Sequence, residues 1–163
     1  AENVQENKDL IISKYIEEKG RELFQVVKEM DLEGIVAKKK DSRYYPGKRS
    51  SVWLKIKLYE EDDFIICGYI PKENVIDLIL GRYQDGKIVR AGSVVTGKFK
   101  QQVIAYAKRN PSAPLFPEKD DAIWMVPKLV GKVRYMMKTK EGGLRQPVFI
   151  GIRDDKFADD LLS

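Results

Sequence analysis

Between Glu18 and Met30 the apolar residues Leu23, Phe24, Val26, Val27 and Met30 recur at helical spacing among charges, which predicts a helix. Upstream, Asn7 to Tyr15 is mixed, with Leu10-Ile11-Ile12 suggesting a short strand. Leu32 to Lys39 is a short apolar run entered through Gly34, and Val52 to Leu58 alternates Trp, Lys and Ile like a half-buried strand. Between them Asp41 to Ser51 is rich in Tyr, Pro, Gly and Ser, a loop composition.

After Glu60-Glu61-Asp62-Asp63 the pattern changes, and this acidic stretch is the expected domain boundary. Phe64 to Ile70, Val75 to Tyr83 and Lys87 to Val95 are three short apolar runs. Asp85-Gly86 joins the last two as a hairpin signal, because both residues tolerate positive φ. Phe99 to Arg109 reads as a helix stopped by Asn110-Pro111, and Pro111 to Pro117 as a loop. Leu129 to Lys138 and Pro147 to Ile152 supply two more strands around a turn at Gly142-Gly143. Five strands interrupted by a helix within roughly 100 residues suit a small barrel of the oligonucleotide-binding (OB) type. The fold class is therefore α+β, mostly β.

Composition narrows the function. The 163 residues are 43% apolar, enough for a real core. The formal charge of +5 is unevenly placed. From Lys38 to Lys57 there are eight basic residues (Lys38, Lys39, Lys40, Arg43, Lys48, Arg49, Lys55, Lys57) against one acid, Asp41. From Lys128 to Arg145 there are six against Glu141 alone. Such clusters suit a polyanion, a nucleotide or a DNA backbone, or are solvated loop charge. One cysteine, Cys67 in the apolar run Phe64-Ile65-Ile66-Cys67, rules out an internal disulfide and reads as a buried thiol of a reducing compartment. Without histidine, zinc chemistry is excluded. No apolar run approaches the length of a membrane span, so a cytoplasmic protein with no membrane partner is expected.

Glu33 stands at the mouth of a strand, Gly34 permits close backbone approach, and Lys38 follows on the same strand. Magnesium takes one or two protein carboxylates plus substrate oxygens, so a single glutamate is enough to help hold it. Lys55 and Lys57, two apart on a strand, project to one face with Trp53, leaving Leu54 and Ile56 to fill the core behind. Neighbouring ammonium groups repel and are tolerable there beside an anion or ample water. Taken singly, each feature also fits an ordinary surface charge.

Together the segments are more specific. Glu33-Gly34-Ile35-Val36-Ala37-Lys38, then a basic loop, then Trp53-Leu54-Lys55-Ile56-Lys57, resembles two signature motifs of covalent nucleotidyltransferases. A third, Leu144-Arg145-Gln146-Pro147-Val148-Phe149-Ile150-Gly151-Ile152-Arg153-Asp154-Asp155-Lys156, resembles the segment that closes the OB domain of DNA ligases. Leu78-Ile79-Leu80-Gly81-Arg82-Tyr83, Asp85-Gly86-Lys87, Ala91-Gly92, Thr96-Gly97 and Trp124 to Val130 look like the ligase domain of bacterial and archaeal end-joining ligases.

The resemblance, to ATP-dependent DNA ligases, implies that residues 1–60 are the C-terminal fragment of an adenylation (nucleotidyltransferase) domain and 61–163 an OB-fold domain. It implies ATP, carried as AMP, with Mg2+ or Mn2+, and nicked or broken double-stranded DNA as substrate. Ku end-binding protein is a further implied partner, in a prokaryotic cytoplasm at the nucleoid. Glu33 would bind the metal, Lys38, Lys55 and Lys57 would face the nucleotide phosphates, and Arg153 and Lys156 would orient the leaving pyrophosphate when the barrel closes over the nucleotide. Lys39, Lys40, Arg43, Lys48, Arg49, Lys132, Arg134, Lys138 and Arg145 would hold DNA phosphates. The family's nucleophile sits in a Lys-x-Asp-Gly motif, and this sequence has none; Lys140-Glu141-Gly142-Gly143 is a poor imitation in an expected turn. The missing N-terminal part of the adenylation domain is thus itself an implied partner, and the fragment alone is expected to be inactive. Two rivals remain at this stage: an RNA ligase or capping-type nucleotidyltransferase, and an OB-fold nucleic-acid-binding module without catalysis.

Overall fold

The computed structural model describes residues 7–9, 11, 14–118, 121–140 and 142–162, which fall into two compact units, Ala1–Leu58 and Tyr59–Ser163. The short strand expected at Leu10-Ile11-Ile12 involves Leu10 and Ile12, which lie outside the described residues.

The first unit is built from α1 (Gly20–Glu29), β1 (Gly34–Lys38) and β2 (Trp53–Lys57). α1 carries Glu22 in its first turn and Lys28 in its last, matching the helix dipole, and buries Val27. Two backbone bonds close its end, Met30 N–H to the Val26 carbonyl (2.9 Å) and Leu32 N–H to the Val27 carbonyl (3.0 Å). β1 and β2 pair antiparallel, with Gly34 opposite Lys57, Val36 opposite Lys55 and Lys38 opposite Trp53. Leu54 and Ile56, expected in the core behind the lysines, are instead 54% and 40% exposed. The reason is architectural: α1 packs on β1, and no described element of this unit covers the apolar side of β2.

The second unit is one antiparallel sheet in the order β5-β4-β3-β6-β7, formed by β3 (Glu60–Pro71), β4 (Ile76–Gln84), β5 (Lys87–Thr96), β6 (Ile123–Tyr135) and β7 (Val148–Phe157). α2 (Lys100–Arg109) lies between β5 and β6 in sequence, and a 3-10 turn, Ala158–Leu161, follows β7. The outer strands β5 and β7 come into contact, so the sheet curls toward closure. Five strands in this order, with the helix between the third and fourth, make the OB-type barrel expected from the sequence. Asp85 and Gly86, at φ 52° and 72°, form the β4–β5 turn.

β3 is apolar without alternation because both its faces are covered. Phe64, Ile66 and Tyr69 enter the main core with Leu78, Leu80, Val133, Tyr135 and the α2 residues Val103 and Ala107. Ile65 and Cys67 face a second cluster with Ile79, Trp124, Val130 and Ala158 of the terminal turn. Burial pushes the Cys67 thiol up to about 12.

Three boundaries differ from the sequence reading. The acidic stretch lies within the second unit's sheet, just past the division at Leu58/Tyr59: β3 starts at Glu60, and Glu60 to Asp63 pair with Tyr135 to Lys132 of β6. β6 starts at Ile123 rather than Leu129, because it tolerates Pro127 within the register shift that lies opposite Ile66 and Gly68. β7 runs to Phe157, so Arg153 to Lys156 belong to a strand that continues past Ile152.

Candidate active site and nucleic-acid interface

The β1/β2 register sets the first group. Directly opposite residues of an antiparallel pair share a face, so Val36, Lys38, Trp53, Lys55 and Lys57 lie together with Gly34. Lys38 Nζ sits 4.2 Å above the Trp53 ring centroid, a cation–π contact. Glu33 is tied to the far end of β2, where its carbonyl accepts the Leu58 N–H at 3.0 Å. Gly34 makes that junction possible. Its φ is +140°, and a Cβ there would lie 2.1 Å from the Ile56 carbonyl oxygen and 2.8 Å from Lys57 Cα. Only glycine allows β1 to run this close to β2 at the point where Gly34 lies opposite Lys57. Lys38, Lys55 and Lys57 thus share one face of the two-stranded ribbon, and Glu33 immediately precedes its first strand.

Beside the ribbon lies a concavity of about 530 Å³ lined by Arg43, Tyr44, Tyr45, Lys48, Arg49, Ser50, Val52, Trp53 and Lys55. Its lining has four cations and no carboxylate. Tyr44 stacks at a tilt on Trp53, with ring centroids 5.5 Å apart. Sequence reasoning counted the cations but gave Tyr44 and Tyr45 no part; their only signal was interleaving with Arg43, Lys48 and Arg49. Lys39 and Lys40 behave differently. The Lys39 N–H donates to the Val52 carbonyl at 2.8 Å, and Lys40 Nζ pairs with Glu17 at 3.0 Å.

In the barrel the cations are already answered by acids. Arg153 donates from Nη1 to both Asp63 oxygens (3.0 and 2.8 Å) and from Nε and Nη2 to Asp155 (2.8 and 2.7 Å). Lys156 Nζ donates to the same Asp63 at 2.8 Å. Asp63, one of the acids read as a boundary, is therefore the shared anchor of the two basic residues in the third motif, and only the strand register turns it into their partner. The Asp155 hydrogen bond, with Asp63 adding, holds the Arg153 guanidinium above its ordinary range; Arg153 in turn holds the Asp155 carboxyl down at about 2. Arg134 donates to Glu61 from Nε and Nη2 (2.8 and 2.6 Å), Lys132 lies 3.9 Å from Glu61, and Lys138 lies 3.2 Å from Asp62. The buried Tyr135 hydroxyl donates to Asp62. Partial burial pushes the Asp62 carboxyl up, but hydrogen bonds from Tyr135 and Lys138 outweigh it and leave it below its ordinary value. Arg145 closes the end of the barrel through its backbone, which exchanges bonds with Met136 and Met137 at 3.0 Å each.

Among the described residues no three His, Cys, Asp or Glu side chains converge as a ready-made metal cage. The chain supplies cations and aromatic rings in the concavity, a donor set that fits a phosphate-bearing ligand.

Comparison with known proteins agrees with that chemistry. Residues 3–57 match the family model described as ATP dependent DNA ligase domain, and residues 72–156 match ATP dependent DNA ligase C terminal region. The multifunctional non-homologous end joining protein LigD of Mycolicibacterium smegmatis is 34% identical over 94% of this chain and 22% of its own length. The crystal structure of the ligase domain of M. tuberculosis LigD superposes with a TM-score of 0.55 at 29% identity, covering 88% of this chain and 52% of that one. Mycobacterial DNA ligase D complexed with ATP and MES gives 0.56 at 29% identity, covering 87% and 50%. The chain belongs to the ATP-dependent DNA ligase family. It spans less than a quarter of that curated relative and about half of each of those ligase structures.

Proposed function

We propose that this chain is the part of an end-joining type ATP-dependent DNA ligase that handles the transferred phosphate and grips DNA. The ribbon carries the reading: Lys38, Lys55 and Lys57 on one face of two strands that run close together at Gly34, with Glu33 next to Gly34 in the chain. In such a ligase a lysine amine attacks the α-phosphorus of ATP and expels pyrophosphate. The AMP then passes to a 5′-phosphate, and a 3′-hydroxyl displaces it. Each step builds negative charge that fixed ammonium groups stabilise. Lys55 and Lys57 hold the α-phosphate, Lys38 backs them, and Arg153 and Lys156 take the pyrophosphate. A magnesium ion, carried by phosphate oxygens with Glu33 as its carboxylate, would add charge neutralisation.

The attacking lysine lies outside these 163 residues in this reading, since they contain no Lys-x-Asp-Gly. Exposed apolar side chains support a further piece packed on the first unit: Met30, Leu54 and Ile56 are all exposed. The remainder of an adenylation domain is the proposed cover. Ku as the end-recruiting partner and a place at the nucleoid belong to the same proposal and rest on the sequence resemblance.

Incubating the chain with radiolabelled ATP and magnesium, then denaturing electrophoresis, tests the assignment. No covalent label is expected. A stable protein–AMP band on the isolated chain would overturn it. The ion-paired state of the barrel cations speaks against a non-catalytic OB module, which would show salt-dependent DNA binding and no loss of sealing in ribbon variants of the larger ligase.

A further inference from the structure

Two carboxylates hold Arg153, and they are not equivalent. The Asp63 side chain is 11% exposed, that of Asp155 68%. Asp63 engages both its oxygens: Arg153 Nη1 donates to each of them, and Lys156 Nζ donates to one, across separations of 90 and 93 residues in the chain. A single carboxylate oxygen, Oδ2, thus receives both cations at 2.8 Å and holds side by side two like charges that would otherwise repel. Asp155 takes the other edge of the guanidinium, the fork of Nε and Nη2, from two residues away. That fork is the edge whose parallel N–H bonds match a carboxylate or a phosphate. An exposed ion pair yields to a competing anion at little cost, because water resolvates the released carboxylate. A nearly buried carboxylate stripped of its cations has no such refuge. Exchange therefore belongs to the Asp155 edge, and the Asp63 edge stays.

From this we infer that Asp63 is a positioning residue of the pyrophosphate step. It clamps Arg153 and Lys156 into one preassembled pair, so that the Nε/Nη2 fork of Arg153 and the remaining N–H groups of Lys156 meet the leaving group together as Asp155 gives way. Pyrophosphate carries oxygens on two phosphorus atoms, and adjacent cations fixed on a common oxygen suit it better than two independently mobile side chains. Asp63 acts through Arg153 and Lys156 rather than on the nucleotide. The inference rests on the proposed ligase function and adds to it a residue from the start of β3, on a different strand from the two cations it organises.

The test uses a full-length ligase containing this chain, loaded with AMP and then given inorganic pyrophosphate. A pyrophosphate oxygen attacks the phosphorus of the lysine–AMP, the P–N bond breaks and ATP leaves, so ATP formation reads the step in reverse. Asp63→Asn keeps the shape and removes the charge. At limiting pyrophosphate its rate should fall by a factor of about 10 to 100, the scale of a misplaced reacting group, while sealing of pre-adenylated nicked DNA keeps its rate. Asp63→Glu retains the charge and shifts the clamp by one methylene, so it probes position without leaving the two cations unpaired. Its pyrophosphate rate should fall less than that of Asp63→Asn, again with sealing unchanged. Three results overturn the inference. They are an unchanged pyrophosphate rate in both variants, an equal loss in the two reactions, which marks a structural ion pair only, and a faster reaction at limiting pyrophosphate in Asp63→Asn, which would make the carboxylate a competitor of the leaving group. A wild-type enzyme that neither takes up AMP nor seals would sink the ligase reading instead, so the two failures are distinct.

Discussion

Replacing Gly34 by alanine perturbs the hinge of the proposed site without touching any of its charged groups. The new Cβ would sit 2.1 Å from the Ile56 carbonyl oxygen, where real Cβ atoms essentially never come closer than 3.0 Å. β1 and β2 must therefore separate by about 0.9 Å at this point. Holding alanine at φ +140° costs about 1–3 kcal/mol more. A two-stranded ribbon is marginal by itself and yields rather than absorbs such strain. The separation falls where Gly34 faces Lys57, next to Glu33 in the chain, and a misplacement of about 1 Å costs on the order of 100-fold in a positioned reaction. Single-turnover sealing of nicked DNA by a ligase carrying Gly34→Ala should drop by about that factor. In the present chain, urea unfolding followed by the exposed Trp53 should show the first unit destabilised by about 1–3 kcal/mol. Unfolding followed by far-UV signal from the barrel should not move. Sealing at the normal rate, with an unshifted first-unit transition, would refute the role given to Gly34.

Other consequences follow from the barrel. Tyr135→Phe removes the hydroxyl donated to Asp62 from a fully buried ring, and chemical denaturation should show a loss of about 1–2 kcal/mol. Asp63→Asn keeps the shape but releases the charge that anchors Arg153 and Lys156. Enzyme–AMP formation should change several-fold or more, while sealing of pre-adenylated DNA changes little; equal effects on both would contradict a role confined to the pyrophosphate step. Cys67, fully buried with its thiol held up at about 12, should resist alkylation at pH 8 until the protein unfolds. The same shift gives a pH dependence. The unfolded thiol titrates near its ordinary value of 9.0, so this contribution to stability is intact below pH 9 and is lost as pH rises toward about 12.

Much of this was legible in the sequence because the informative residues obey local rules. The period of α1, the alternation of β2, and the Asp85-Gly86 turn each follow from backbone geometry within a few residues. The ribbon lysines were legible for the same reason, since a strand puts every second side chain on one face. What could not be read was partnership across strands. Glu60 to Asp63 look like a hydrophilic break until the β3/β6 register sets them against Lys132 and Arg134, and Asp63 meets Arg153 at a separation of 90 residues. The extension of β6 through Pro127 was hidden because proline normally ends a strand, and only the register shift accommodates it. The bare side of Leu54 and Ile56 was also invisible. Alternation says which face is apolar and nothing about whether another element covers it.

In the proposed function the Glu33 carboxylate and the ammonium groups of Lys55 and Lys57 surround the phosphorus being transferred. The most direct measurement is nick sealing by a full-length ligase containing this chain, comparing Glu33→Ala and Lys55→Ala with the exposed control Lys8→Ala. The first two should lose activity by orders of magnitude and the control should keep it; equal activity in all three would contradict the claim.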